Sequence, residues 1–460
     1  MAASNPPTQD TQALANDLTA GPVGPHLTKL STYLLIGFIA NNASYLMDAV
    51  YLGALGIDAL AAIAFAFPVT YALHAVTRGF ATGAASVMAR ALGSGDRERV
   101  AVVASHCFVI ALLFCMVCAA GYALAGKLFA LMGAHGDAHA LTVRYMLIWL
   151  IAFPALAITT VGTLMLRAIG QAAVAGLMTA GGALLQVFVA PFLIFGWLGM
   201  PALGIEGAAW AVLVGRGVSA IVCVYFYARE RLLVSSLREF PSSCASILHI
   251  GIPASANNLI IPLSAGVITR LLADYGPAVV AGFGVASRLE VFISMPAMAV
   301  ASSVGPLVGQ NWGAGNFSRV SETMRIADRF CLAWGLLALI AMLLAAEPMV
   351  SLINDDPTVI GTASSYLLIV SLTFGFLAMQ NSASFSFNAL GRPMPPLILA
   401  VSRLLVVYVP LAILAGNLYG ALGIFWATAL VNVAAGIAAA AWNRNTIQIA
   451  ARRGRVGIAP

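Results

Sequence analysis

Asp48 has the surroundings best suited to chemistry. It lies near the far end of an apolar run, Leu30–Leu52, and Asn41, Ser44 and Tyr45 precede it by seven, four and three residues. On a helix those spacings place all four on one face. Ionisable groups inside hydrocarbon are costly, and those retained there tend to mark an ion or substrate path. A carboxyl screened from water, with an amide and hydroxyls beside it, can take a proton from one side of a membrane and release it to the other. The plainer alternative is an interfacial aspartate satisfied by water. Glu290, twelve residues into the run Ala278–Val308, is the second candidate, with Arg288 two positions before it. Residues two apart on a helix do not face each other. Each therefore needs a partner on another helix or a wet cavity, so a coupling or substrate role competes with a structural ion pair. His74 and Arg78, four apart, suit a structural pairing with a carbonyl or carboxylate, and Arg216 is expected to snorkel toward an aqueous surface.

Uncharged polar residues recur in the same runs: Gln186, Asn257, Asn258, Gln380 and Asn381. Hydrogen bonding between helices is their default use, and substrate contact is the alternative. Tyr71, with Phe65, Phe67, Phe153 and Phe292, could stack on a flat ligand or simply pack.

Other chemistries lack their residues. There is no G-x-x-x-x-G-K-[ST], and the only lysines are Lys29 and Lys127, so no nucleotide-binding P-loop is present. No G-x-S-x-G, H-E-x-x-H or paired acid/base carboxylates occur. Cys115 and Cys118 share a helix face but read as small buried side chains. His135 and His139 are separated by Gly136, which weakens any helical zinc pair. No cofactor or metal is expected. What remains is transport driven by an ion gradient.

The elements that must position these residues are membrane helices. The chain is 61% hydrophobic and 9% charged, against about 25% charged for soluble domains. Twelve apolar runs approach or exceed the roughly 20 residues that a spanning helix needs: 30–52, 59–81, 100–125, 141–166, 172–198, 207–227, 247–271, 278–308, 330–346, 359–387, 397–418 and 420–441. The net charge of +6 does not indicate nucleic acid. Its arginines gather in alternate connections and at the end of the chain, and acids dominate the others. That is the positive-inside pattern, and it predicts both termini in the cytoplasm of a multi-pass plasma (bacterial inner) membrane protein. The expected divisions are a disordered polar tail (1–27), a six-helix lobe (28–228), a linker (229–245), a second six-helix lobe (246–443) and a basic tail (444–460).

The two lobes are copies. Leu92-Gly93-Ser94-Gly95-Asp96 returns in the second half as Trp312-Gly313-Ala314-Gly315-Asn316. At nearly the same offset, Ala168-Ile169-Gly170 returns as Ala389-Leu390-Gly391, and Gly207-Ala208-Ala209-Trp210-Ala211 returns as Gly423-Ile424-Phe425-Trp426-Ala427. Because six helices is an even number, the copies insert in the same orientation, about an axis along the membrane normal. The Gly-x-Gly loops suit tight turns between helices.

Taken in order, Asp48-x-x-x-x-Gly53-x-x-Gly56-x-x-Ala59-x-Ala61-Ala62, Pro68, Leu92-Gly93-x-Gly95-Asp96, Gly251-Ile252-Pro253-Ala254 and Val308-Gly309-Gln310-Asn311-Trp312-Gly313-Ala314-Gly315-Asn316 resemble the multidrug and toxic-compound extrusion (MATE) family, over nearly the whole chain after the polar tail. The resemblance implies an all-α integral membrane fold of twelve helices in two pseudo-symmetric lobes forming a V. It also implies export of small molecules, organic cations or amphipathic drugs, against an H⁺ or Na⁺ gradient, with Asp48 matching a proton-coupling aspartate. Where Na⁺-coupled relatives carry acids in helices seven and ten, Ile261 and Met379 or Gln380 stand here, so H⁺ is expected rather than Na⁺. Tyr33 occupies the place of a first-helix proline. The expected protein is a monomeric proton antiporter with Asp48 and Glu290 as coupling acids. Its substrate cavity draws on Asn41, Ser44, Tyr45, Tyr71, Gln186, Asn257, Asn258, Arg288, Gln380 and Asn381. The rivals are a lipid-linked oligosaccharide flippase, which would need a cavity rich in cations, an integral-membrane transferase, which would need a catalytic loop, and a passive channel.

Overall fold

The computed structural model describes residues 17–234 and 238–455. Its elements are α1 Val23–Gly53, α2 Ile57–Gly93, α3 Arg97–Ala120, a short α4 Ala125–Leu131, α5 Gly136–Ala168, α6 Ala172–Phe195, α7 Ile205–Arg229, α8 Phe240–Ala273, α9 Pro277–Gly313, α10 Phe317–Ser351, α11 Pro357–Ser371, α12 Phe374–Ala389, α13 Met394–Val401, a π-helical turn Ser402–Tyr408, and α14 Val409–Arg455. Among the described residues nine helices are long and apolar enough to cross a membrane, and α11 with α12, bent by 56° at their junction, makes ten. One of the nine, Met394–Arg453, is divided at Gly420 (φ 66°, ψ −151°). Counting its two parts and α1, the protein has twelve crossings, six in each half.

The sequence accounts for the boundaries. Asp96 caps α3 by accepting from the Arg99 amide, and Asp356 caps α11 by accepting from Thr358 and Val359, with Pro357 opening the helix. Gly95 and Gly315 hold φ values of 84° and 73°, a left-handed conformation that glycine reaches without penalty. Several expectations on extent need correction. The run 100–125 breaks at Gly121 into a 3₁₀ turn before α4. Residues 17–27 are not a loose tail: Leu18 is 1% exposed, and α1 begins at Val23. The expected tail from 444 instead continues α14 through Arg455, with Ile447 and Ala450 buried. The connection between halves is the short stretch from Glu230 to Glu239, part of which is described. Residues 1–16 and 456–460 of the expected tails lie outside the described residues.

Each half has its own core. In the first, Trp149, Phe153, Met165 and Tyr227 pack together. In the second, Phe283, Tyr366, Phe374 and Phe425 do so. A further cluster joins the halves: Leu18, Leu27 and Leu30 pack with Val304, Leu307, Phe387 and Ile447. Large apolar side chains such as Met116, Val117, Ile221, Tyr225, Leu343 and Leu344 are exposed, as expected where lipid is the solvent.

The halves meet along a two-fold seam. A Cβ on Gly93 of α2 would lie 1.9 Å from the Gln310 carbonyl oxygen, and one on Gly313 of α9 would lie 2.1 Å from the Arg90 carbonyl oxygen. Arg90 and Gln310 are repeat equivalents, as are the two glycines. Their side chains reciprocate too: Arg90 Nη1 donates to Ala389 O, and Gln310 Nε2 donates to Ala168 O, each at 2.8 Å. Gly79 and Gly83 bring α2 equally close to Ser255, Gly251 and Ile247 of α8. Ser31 of α1 donates to Ser303 of α9 at 3.1 Å. All of these contacts sit in the halves of the helices nearer the termini. At the opposite ends, no hydrogen bond or ion pair among the described residues joins the lobes. The two lobes of the V are thus tied together at the end that carries the termini.

Candidate functional site

Within the first lobe, α1 packs along α6, and α6 packs along α7. From α1, Asp48 Oδ2 accepts from Gln186 Nε2 of α6 at 2.8 Å, and Asn41 Oδ1 accepts from Arg216 Nη2 of α7 at 2.8 Å. The Arg216 guanidinium also lies within electrostatic range of the Asp48 carboxyl. Arg216 is buried, so it does not snorkel to a surface: it turns inward to this pair. Ser44, one turn before Asp48 and 1% exposed, has no partner for its hydroxyl among the described residues, and neither does Arg216 Nε. Both are buried polar atoms with capacity for an incoming group. Tyr51 reaches Val187 O at 3.5 Å. Tyr145 of α5 is within electrostatic range of Asp48 and Tyr45. Tyr45 is 52% exposed, and Tyr71 is half-buried, its ring 5.9 Å from that of Phe67. His74 packs edge-on against Trp149. Arg78 is exposed and, among the described residues, takes up neither of the pairings expected of it.

The second lobe holds a second cluster. Tyr366 Oη of α11 donates to Glu290 Oε2 of α9 at 2.8 Å. Arg403, in the π-helical turn, lies within electrostatic range of Glu290 and donates to Gln380 Oε1 at 3.1 Å and Asn432 Oδ1 at 2.6 Å. Asn432 passes its amide to Thr373 Oγ1 at 3.0 Å. The clusters correspond in part: Tyr366 falls at the repeat position of Tyr145, and Asn432 at that of Arg216.

The structure thus groups Asp48, Asn41, Ser44 and Gln186 in one lobe and Glu290 with Gln380 in the other. Arg288 is exposed on a different face of α9 from Glu290. Asn257, Asn258 and Asn381 are half-buried and make no side-chain hydrogen bond among the described residues. Sequence reasoning misses Arg403, Tyr366 and Tyr145. Arg403 carries a usable signal, an arginine six residues into the apolar run from Leu397.

Two duplicated six-helix lobes, each with a carboxyl and an arginine near one another among apolar helices, follow the parallel-repeat plan of secondary transporters. The architecture is that of a secondary transporter rather than an enzyme. Known proteins identify which one. The MatE family model matches residues 34–192 and 253–414, and the chain belongs to that family. It is 30% identical over 426 residues to an FAD transporter of Shewanella oneidensis, an alignment covering 92% of this chain and 94% of that protein. It is 24% identical to the multidrug export protein MepA of Staphylococcus aureus, covering 91% and 93%. Among solved structures, the MATE transporter VcmN of Vibrio cholerae in its bent form superposes with a TM-score of 0.88 at 26% identity, covering 93% of this chain and 97% of that one. The protein is a multi-pass membrane transporter of small molecules, driven by an ion gradient rather than a cofactor.

Proposed function

We propose that the chain exports small amphipathic molecules in exchange for protons by alternating access, with Asp48 as the principal coupling carboxyl and Glu290 as the second. The observation that carries this reading is the Asp48–Gln186 hydrogen bond between α1 and α6, beside Arg216. A hydrogen bond to a charged group is worth about 1.5–3 kcal/mol, roughly twice a neutral one. Protonating Asp48 removes that charge, weakens the tie to α6 and leaves Arg216 without its counter-ion. Helix α1 runs unbroken through Tyr33 from Val23 to Gly53, so no proline bend absorbs the change. Ser31, which touches α9 at the seam, lies seventeen residues away along the same rod, about 25 Å at 1.5 Å per residue. A change of protonation at one end can thereby bear on the seam at the other. By linkage, proton and substrate that favour opposite states must weaken each other's binding.

With the termini in the cytoplasm of the plasma membrane, the closed seam faces inward and the structure is the outward-open state of a monomer. Flavin dinucleotide joins the amphipathic drugs as a substrate to test, because the Shewanella oneidensis relative is an FAD transporter. The deciding experiment imposes a pH gradient or a Na⁺ gradient separately on proteoliposomes. Transport should follow the pH gradient, fall to background in Asp48→Asn and fall partially in Glu290→Gln. Transport driven by Na⁺ alone, or normal transport by Asp48→Asn, would overturn the reading.

A further inference from the structure

The two membrane carboxyls are each accompanied by an arginine of their own lobe, Asp48 by Arg216 and Glu290 by Arg403. Two further arginines at membrane depth, Arg78 on α2 and Arg288 on α9, are exposed, and their side chains have no hydrogen bond or ion pair among the described residues. On α2, Arg78 precedes Ala89 and Gly93, which press on Gly309 and Gln310 of the other lobe. At about 100° per residue all three positions fall within about 60° of one another around the helix. On α9, Arg288 precedes Ser303 and Gln310, which touch α1 and α2. These also fall within about 60°. The faces that form the seam at the closed end therefore carry the two guanidiniums where the lobes have parted.

Neither arginine is a product of the duplication: the equivalent of Arg78 is Met298, and that of Arg288 is Pro68. The packing of a lobe does not require them. Each has an aromatic on the same stripe, Tyr71 seven residues before Arg78 and Phe292 four residues after Arg288. Helices α2 and α9 are equivalent throughout their length, and the two positions differ by ten residues. The guanidiniums thus sit on opposite walls at depths about 15 Å apart.

We propose that Arg78 and Arg288 form the recognition pair for the transported substrate, and that this substrate is an elongated anion: a flat ring system bearing a phosphate or diphosphate, of the dinucleotide class. Guanidinium matches phosphate geometry in two hydrogen bonds, and the neighbouring aromatics offer stacking surfaces. A cation would meet a surplus of two positive charges in the cleft. The inference rests on the exporter reading above and deepens it.

The test uses full-length protein in phosphatidylcholine vesicles, with and without added anionic lipid. Uptake of flavin adenine dinucleotide and of a lipophilic cationic dye is followed under an imposed pH gradient. Wild type should carry the dinucleotide, and R78Q/R288Q should lose at least tenfold in its uptake while keeping an unchanged melting temperature. R78E/R288E should favour the dye. Dye transport without dinucleotide transport in wild type, or full dinucleotide transport by R78Q/R288Q, overturns the anion assignment and leaves the antiporter intact. So does an R78Q/R288Q defect seen only with anionic lipid present, which would make lipid phosphate the ligand. Transport of neither probe under the pH gradient overturns both readings.

Discussion

Gln310 offers a measurement of the seam between the lobes. Its side chain is 1% exposed. Its amide donates to Ala168 O at 2.8 Å, and its oxygen accepts from the Leu18 amide at 3.1 Å. Gln310→Ala removes both bonds and leaves a buried N–H and a buried C=O without partners. Each lost bond costs about 0.5–1.5 kcal/mol, and an orphaned buried group costs about 1–3, so about 2–4 kcal/mol is a fair total. If transport parts the lobes at this end, water satisfies both groups in the parted state, and the loss falls on the closed form alone. At 1.4 kcal/mol per decade the equilibrium moves about 30-fold or more. A closed form favoured 99:1 would then fall to about 3:1. Spin labels at Ser94, on the first repeated loop, and Ser318, in the first turn of α10, both exposed, would read this as a new long-distance population, in a chain whose six cysteines have been replaced. A lower melting temperature with an unchanged distance distribution would refute the reasoning, for it would make Gln310 a packing residue only.

Gly83→Ala places a methyl 2.2 Å from the Ile247 carbonyl oxygen; overpacking of this kind costs about 1–3 kcal/mol or more, so thermal stability in detergent should fall by several degrees. Arg319→Gln releases the bonds that its guanidinium makes to the Leu18, Ala20 and Gly21 carbonyls, and hydrogen exchange over residues 17–22 should accelerate tenfold or more, while Arg99→Gln, its repeat equivalent, should leave that segment alone. The Asp17 carboxyl is held below its ordinary value of 3.8, chiefly by the Thr19 hydroxyl. Its contribution is complete above that ordinary value and lost as pH falls through the depressed one. Exchange at Leu18 should therefore rise more steeply on acidification in wild type than in Thr19→Val, which lacks the bond.

The two lobes and both carboxyls are legible in the sequence because lipid leaves so few ways to keep a charge: an acid in an apolar run stands out, and the spacing of Asn41 and Ser44 places them beside it. The partners are less legible. Gln186 lies 138 residues from Asp48, and nothing local distinguishes it from any other interhelical glutamine. Arg216 reads as a surface-seeking side chain because its height in the helix can be told from the sequence and its direction cannot. The glycine loops read as turns, which explains Gly95 and Gly315. Gly93 and Gly313 serve instead to let two backbones approach across the seam, a demand that exists only in three dimensions. Residues 17–27 read as tail because Leu18 and Val23 are isolated among polar neighbours; their burial depends on a groove built by the other half of the chain.

The π-helical turn at Ser402–Tyr408 has a last consequence. A wide turn holds one residue more than an ordinary one, so it re-aims everything beyond it by about 100°. The matching stretch of the first lobe, ahead of Pro191, is a regular helix. Arg403 stands in that turn where the first lobe, counted back from Pro191, has the exposed Leu184. Deleting a single position there would relax the wide turn and disturb the bonds by which Arg403 ties Gln380 to Asn432, at the expense of the polar centre that distinguishes the second bundle.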